Sequence, residues 1–121
     1  MNDSDRKHTW DLYASAWKVG PKAEKLAALA RSVEPQATYR DPLAQAEGHE
    51  ALVAHMLNWH ERVPGGWFET TSFQEHHGRS LAHWNMRAAD GKVLGEGISF
   101  CEWAPSGKLA SMTGFFDVPQ P

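Results

Sequence analysis

The chain has 121 residues, with 12 basic and 15 acidic side chains, a net charge of −3 and no Lys/Arg cluster, so a nucleic-acid partner is not expected. An apolar fraction of 41% and a charged fraction of 22% describe a globular domain able to bury one core, and residues 1–121 read as a single domain. One cysteine, Cys101, cannot make an internal disulfide, and there is neither a signal-peptide apolar region nor an apolar run of transmembrane length; the expectation is a reducing, cytoplasmic setting with no membrane partner.

Residues 1–8 read as a loose polar end. Trp10, Tyr13, Ala14 and Trp17 recur at helical spacing and predict a helix from Thr9 to Lys18. Gly20-Pro21 closes it and opens a second helix, Lys22–Glu34, with Leu26, Leu29, Ala30 and Val33 on one face. Ala37–Arg40 reads as a short strand, turned by Asp41-Pro42. Gly48 precedes a third helix, His49 to Arg62, whose apolar face takes in Leu52, His55, Met56, Trp59 and Val63. Pro64-Gly65-Gly66 breaks the chain, and β character follows.

Four strands are predicted: Trp67–His76, Ser80–Ala88, Lys92–Trp103 and Leu109–Val118. Asp90-Gly91 marks one hairpin and Pro105-Ser106-Gly107 another turn. Ala82, Trp84 and Met86 share a face; Gly95 and Gly97 mark a bend or a close approach on the next strand. Short turns make this meander antiparallel. Three helices and such a sheet give an α+β fold, a cone-shaped curved antiparallel sheet with the helices on its concave face and room for a ligand at the open end.

Several runs carry a resemblance. They are Tyr39-Arg40-Asp41-Pro42, Gly48-x-Glu50-Ala51-Leu52, the Trp84-x-Met86 strand, Gly95-Glu96-Gly97-Ile98-Ser99-Phe100, and Gly107-Lys108-Leu109 with Gly114-Phe115-Phe116. Their order and spacing, from Trp10 to Phe116, resemble the nuclear transport factor 2-like superfamily. The likeness is nearest to its polyketide-cyclase (SnoaL-like) and ketosteroid-isomerase-like branches. The fold hosts isomerases, dehydratases, epoxide hydrolases, cyclases and binding modules. Relatives commonly pair through the outer sheet face, which implies a homodimer; the alternating Leu94, Ile98 and Phe100 offer an apolar outer stripe for it.

The resemblance places Asp41 where isomerase-like relatives carry a general base. Pro42 holds Asp41 extended, and a carboxylate facing an apolar cavity has a raised pKa suited to a carbon acid. The competing reading is an Asp-Pro turn with the carboxylate capping backbone. Tyr13 matches a helix-1 tyrosine that donates to an oxyanion, or it is core packing with its hydroxyl at the edge. Ser99 stands where those relatives carry an acid, which argues against ketosteroid isomerisation itself and leaves an orienting donor. His55 is either a second acid/base group beside Asp41 or a structural histidine. Trp17, Tyr39, Trp59, Phe68, Trp84, Met86 and Phe116 are expected to line the cavity, or else to fill a closed core.

No metal site and no cofactor are expected. His49 and His55 lie about 240° apart around a helix, and His76 and His77 should point to opposite strand faces. Cys101 reads as structural. Two functions remain open. One is a cofactor-independent isomerase, cyclase or hydrolase acting on a small hydrophobic carbonyl or epoxide compound. The other is a non-catalytic binding module for an apolar metabolite or a protein partner.

Overall fold

Pro64-Gly65-Gly66 ends the third helix, and in the computed structural model a four-stranded meander follows it. The structure describes residues 3–117, with side chains from Asp5 onward. Three helices, α1 (Asp3–Ser15), α2 (Lys22–Ser32) and α3 (His49–Arg62), pack on a six-stranded sheet. Its strands are β1 (Val33–Asp41), β2 (Ala44–Glu47), β3 (Trp67–His76), β4 (Arg79–Arg87), β5 (Val93–Trp103) and β6 (Leu109–Phe116). Their spatial order is β2-β1-β6-β5-β4-β3. The meander β3 to β6 is antiparallel throughout. β1 pairs antiparallel with β2 but parallel with β6, so the sheet is mixed at that one junction. The architecture is an α+β cone. Val118, Pro119 and Pro121, the expected end of the last strand and of the chain, lie outside the described residues.

The helix ends and the start of β1 differ most from expectation, each for a local reason. α1 starts at Asp3 rather than Thr9. Its first turns carry no apolar signal, but Arg6 ties them to the sheet through Glu75, 3.2 Å away, and lies 5.5 Å over the Trp103 ring. α1 also stops at Ser15. The backbone of Ala16, Trp17 and Lys18 tightens into three-residue bonds back to Tyr13, Ala14 and Ser15. α2 ends at Ser32, because Glu34 precedes Pro35 and is driven to extended geometry. β1 therefore begins at Val33 and tolerates Pro35 in an irregular stretch before regular pairing resumes at Thr38. β2 has no strand signature, since Ala, Gln and Glu are poor strand formers. It forms because Pro42-Leu43 folds the chain back and pairs Asp41 with Ala44.

Leu29, Val33, Val53, Met56, Cys101, Leu109 and Met112 are almost wholly buried and form the floor between helices and sheet. On α2, Ala30 is exposed, and Lys25 takes a buried place on the inner face. Its ammonium satisfies itself there. It donates to the carbonyls of Ala16 (2.6 Å) and Lys18 (2.5 Å) and faces Nε2 of His60 at 2.9 Å. These bonds clamp the turn that carries Trp17 onto α2 and α3.

The sheet bends where its ladders slip, at Thr70/Ser72, Met86/Arg87 and Glu102/Trp103. Gly97 serves the bend differently. The Trp84 indole crosses directly over it, so that a Cβ at 97 would lie 2.5 Å from the ring and 2.7 Å from the Phe115 carbonyl. Gly95 has open space where a Cβ would go, and only Gly97 answers to a close approach.

Candidate active site

Between helices and sheet lies a cavity of about 560 Å³, within the usual size range for small-molecule sites. Its walls are largely aromatic. Trp59 stacks on Phe68 (4.7 Å between centroids, 23° between planes), and Trp17 and Trp84 meet Phe68 edge-on at 5.5 and 5.0 Å. Phe116 follows Trp84 at 6.2 Å, and Met86 completes that wall. Indole N–H groups facing an apolar space need acceptors, and three of those here have their own. Trp10 donates to Thr70 Oγ1, Trp17 to the Tyr13 hydroxyl and Trp84 to Ser99 Oγ, all at 3.0 Å.

The polar end of the cavity is built from β1 and α3. Alternation on β1 puts Tyr39 and Asp41 on one face, and Pro42 keeps Asp41 extended at the strand end. Asp41 then does two things. Its Oδ1 accepts the Leu43 backbone N–H at 2.8 Å, which is the turn-capping role. Its Oδ2 accepts the Tyr39 hydroxyl at 2.5 Å and faces Nε2 of His55 at 3.4 Å. The His55 ring is wedged between Trp17 (5.6 Å) and Tyr39 (5.3 Å). The Asp41 and His55 side chains are only 6% and 14% exposed. Turn cap and cavity group are thus not alternatives, because one oxygen serves each.

Burial pushes the Asp41 carboxyl up, but the hydrogen bonds from His55, Tyr39 and Leu43, with the His55 charge, outweigh it and hold the group below its ordinary range. This corrects the expectation of a raised pKa. Asp41 is a firm carboxylate with filled acceptor sites. In the neutral ring, donation from Nε2 to that carboxylate leaves the lone pair on Nδ1. Nδ1 has no hydrogen-bond partner among the described residues, and the His55 side chain lines the cavity.

Tyr13 is buried, and burial drives its phenol well above the ordinary range, so it stays protonated. Its oxygen accepts from Trp17, while its own proton has no acceptor among the described residues. Tyr39 is raised likewise, first by burial and then by Tyr13 and Asp41. Ser99 Oγ accepts from Trp84 and keeps its proton to give. The Cys101 thiol, buried on the same strand face, is pushed up to about 12 by burial and is inert.

The structure brings all of the sequence-derived candidates to this one cavity: Asp41, Tyr13, His55 and Ser99 at its polar positions, and Trp17, Tyr39, Trp59, Phe68, Trp84, Met86 and Phe116 along its walls. Trp10, Thr70, Arg62, Glu96 and Asp117 also line it and were not singled out as site residues. Trp10 was legible, since it shares the α1 stripe with Tyr13 and Trp17. Arg62, Glu96 and Asp117 carry no local pattern that separates a pocket residue from a solvated one. Leu94 was assigned to the outer stripe, but the bulge at the start of β5 turns it onto the cavity lining. Ile98 and Phe100 do share the other face, with Phe115 beside Ile98. Among the described residues no group of three or more His, Cys, Asp or Glu side chains is placed to hold a metal ion. Nε2 of His49 faces the Val33 and Glu34 carbonyls, a structural role.

A family model for the SnoaL-like domain matches residues 11–112. The chain belongs to the SnoaL-like domain family. Solved structures agree on the fold of this SnoaL-like domain. A proposed isomerase of the SnoaL-like family from Agrobacterium tumefaciens str. C58 superposes with a TM-score of 0.87 at 20% identity, over 95% of this chain and 99% of that one. A proposed ketosteroid isomerase from Kribbella flavida DSM 17836 gives 0.70 at 13% identity, over 98% and 82%. A cystatin-like-fold protein of unknown function from Methylobium petroleophilum PM1 gives 0.79 at 13%, over 100% and 81%. No curated protein matches the sequence. At these identities the structures speak for the fold alone. No helix among the described residues is long and apolar enough to cross a membrane.

Proposed function

We propose that this SnoaL-like domain binds a small hydrophobic carbonyl or epoxide compound in the aromatic cavity and moves a proton on it, as an isomerase, cyclase or hydrolase using its own side chains. The observation that carries this reading is the Asp41–His55 pair set into the wall of a 560 Å³ aromatic cavity. Asp41 holds the imidazole in one tautomer and stabilises the imidazolium once a proton arrives, the part a buried aspartate plays beside a catalytic histidine. His55 Nδ1 is the atom that takes the proton from a carbon acid or from an attacking water. Asp41 was the base expected from the resemblance. Its depressed pKa makes it the weaker base of the pair, and it serves better as the orienting carboxylate. Tyr13 and Ser99 each keep a hydroxyl proton for the substrate oxygen, so negative charge developing there meets two donors.

Two copies pair through the outer sheet face, where Phe100 and Phe115 are 38% and 54% exposed. Light scattering on the purified protein tests this, and a monomeric mass rejects it. A reducing, cytoplasmic location suits the single buried thiol.

The functional reading is tested by melting the protein with steroid enones, aromatic polyketides and terpene epoxides, then assaying turnover of any compound that raises the melting temperature. His55→Gln should lower turnover by about 10²–10⁴-fold while binding persists. A ligand that binds without being turned over by the wild type would identify a binding module instead. Turnover that survives both His55→Gln and Asp41→Asn would remove the pair from the mechanism.

A further inference from the structure

The β3–β4 hairpin carries two adjacent histidines at its tip, and neither lines the cavity. His76 pairs with Arg79, so the hairpin closes through only two residues, His77 and Gly78. Both have positive φ, 50° and 78°. This is the turn that matches strand twist, and it favours Asn, Asp or Gly at its first position. His77 holds a left-handed conformation there, a cost of about 1 kcal/mol for a residue with a Cβ. His77 is the one non-glycine with positive φ among the described residues. Backbone strain at one residue invites a functional explanation.

The strain has a geometric result. Strand alternation would send the two side chains to opposite faces, as expected from sequence. The left-handed step at His77 undoes the alternation and folds its ring back toward His76. The ring centroids are 5.2 Å apart with planes at 77°, and the two Nδ1 atoms are 3.0 Å apart. Both residues are exposed. At that separation one Nδ1 carries a proton and the other a lone pair, so the pair shares a single proton between two metal-ligating atoms.

We propose that His76 and His77 form a two-nitrogen site for a divalent cation of tetragonal habit, Cu(II) first and Ni(II) second. Metal–imidazole bonds run about 2.0–2.1 Å. Two nitrogens 3.0 Å apart then subtend about 90–97° at the metal. That is close to a cis angle of a square plane, the geometry of Cu(II) and Ni(II), and an imidazole site takes Cu(II) more tightly than Ni(II) or Zn(II). To converge, each lone pair swings off the line between the nitrogens by rotation about χ2, a soft torsion for an exposed ring. The metal takes the place of the shared Nδ1 proton, and Nε2 of the ring that gives it up takes a proton from solvent, so both rings ligate as neutral imidazoles. With no third protein ligand among the described residues, water fills the remaining positions. Arg79 donates to the His77 carbonyl at 3.0 Å and steadies the loop, while its charge moderates the affinity for a cation.

The test is calorimetric titration of the whole chain with Cu(II), Ni(II) and Zn(II) salts, with paramagnetic resonance of the copper-loaded sample. The expected result is one strongest Cu(II) site per chain, a tetragonal spectrum showing nitrogen ligation, and weaker Zn(II) binding. His76→Ala and His77→Gly should each weaken that site by about tenfold or more. His77→Gly also removes the left-handed strain, so this variant should melt at or above the wild-type temperature, which separates ligand loss from misfolding. Wild-type copper affinity in either variant, Zn(II) bound as tightly as Cu(II), or a His77→Gly protein that melts lower than wild type would overturn the proposal.

Discussion

Replacing Gly97 and Gly95 separately by alanine tests the account of the cavity wall most sharply. The two glycines lie on the same strand, two residues apart. A Cβ at 97 would sit 2.5–2.6 Å from the Trp84 ring and 2.7 Å from the backbone oxygen of Phe115, whereas a Cβ at 95 meets nothing within 4 Å. The ring can tilt away but the carbonyl cannot, because Phe115 is paired with Ile98 in the ladder. Overpacking of this kind costs about 1–3 kcal/mol. Tilting Trp84 also stretches its 3.0 Å bond to Ser99, worth about 1 kcal/mol more. At an unfolding entropy of about 2.1 cal/mol/K per residue, a loss of about 2–4 kcal/mol lowers the melting temperature by about 8–16 °C. Gly95→Ala should stay within about 2 °C of wild type or rise slightly, since alanine restricts the unfolded chain more than glycine does. Calorimetry gives the melting temperatures, and the Trp84 environment is followed by fluorescence. Equal melting temperatures for the two variants would refute the close packing of Trp84 on Gly97.

Three further outcomes follow from buried polar groups. Tyr13→Phe should cost about 1–2 kcal/mol by chemical denaturation, because the Trp17 N–H loses its acceptor, and it should weaken turnover of any carbonyl substrate. Lys25→Met should be destabilising by about 2–4 kcal/mol, since two carbonyls at the end of α1 and one histidine nitrogen lose their donor; a melt unchanged from wild type would contradict the clamp. Stability should fall with acid in two stages. Burial and the Lys25 ammonium hold the His60 pKa below its ordinary value, so its contribution is present above about pH 6.5 and is lost as the pH falls through the lower folded value. Asp41 is depressed as well, so its contribution is present above about pH 4 and disappears below it. His60→Gln should flatten the upper limb of a melting-temperature profile and leave the lower limb in place.

Much of the cone was legible in the sequence, because its determinants are periodic or punctuating. The helical recurrence of Trp10, Tyr13 and Trp17, the Pro64-Gly65-Gly66 break and the Asp90-Gly91 hairpin each point to one local structure. β2 was not legible, since Ala44–Glu47 has the composition of a helix and becomes a strand only through pairing with β1. The parallel β1–β6 contact joins segments far apart in sequence and leaves no local trace. At the site, residue identity and face were readable, so Asp41, His55 and Tyr13 could be singled out. Their protonation behaviour was not. Whether Asp41 is raised or lowered depends on partners brought from β1, α3 and the following turn, and only the three-dimensional arrangement counts those partners. His76 and His77 show the same limit, because one backbone angle decides whether their rings diverge or meet.

The aromatic wall has a consequence for how such a domain changes over generations. Trp10, Tyr13, Trp17 and Trp59 belong at once to the buried core and to the cavity lining. A substitution that reshapes the ligand space is therefore also a withdrawal of core packing, and the two effects cannot be inherited separately. Ligand preference in this lineage should drift by paired changes, one residue enlarging the space and a second repacking the gap behind it, so that variants with a new preference carry a matched substitution on the neighbouring helix or strand.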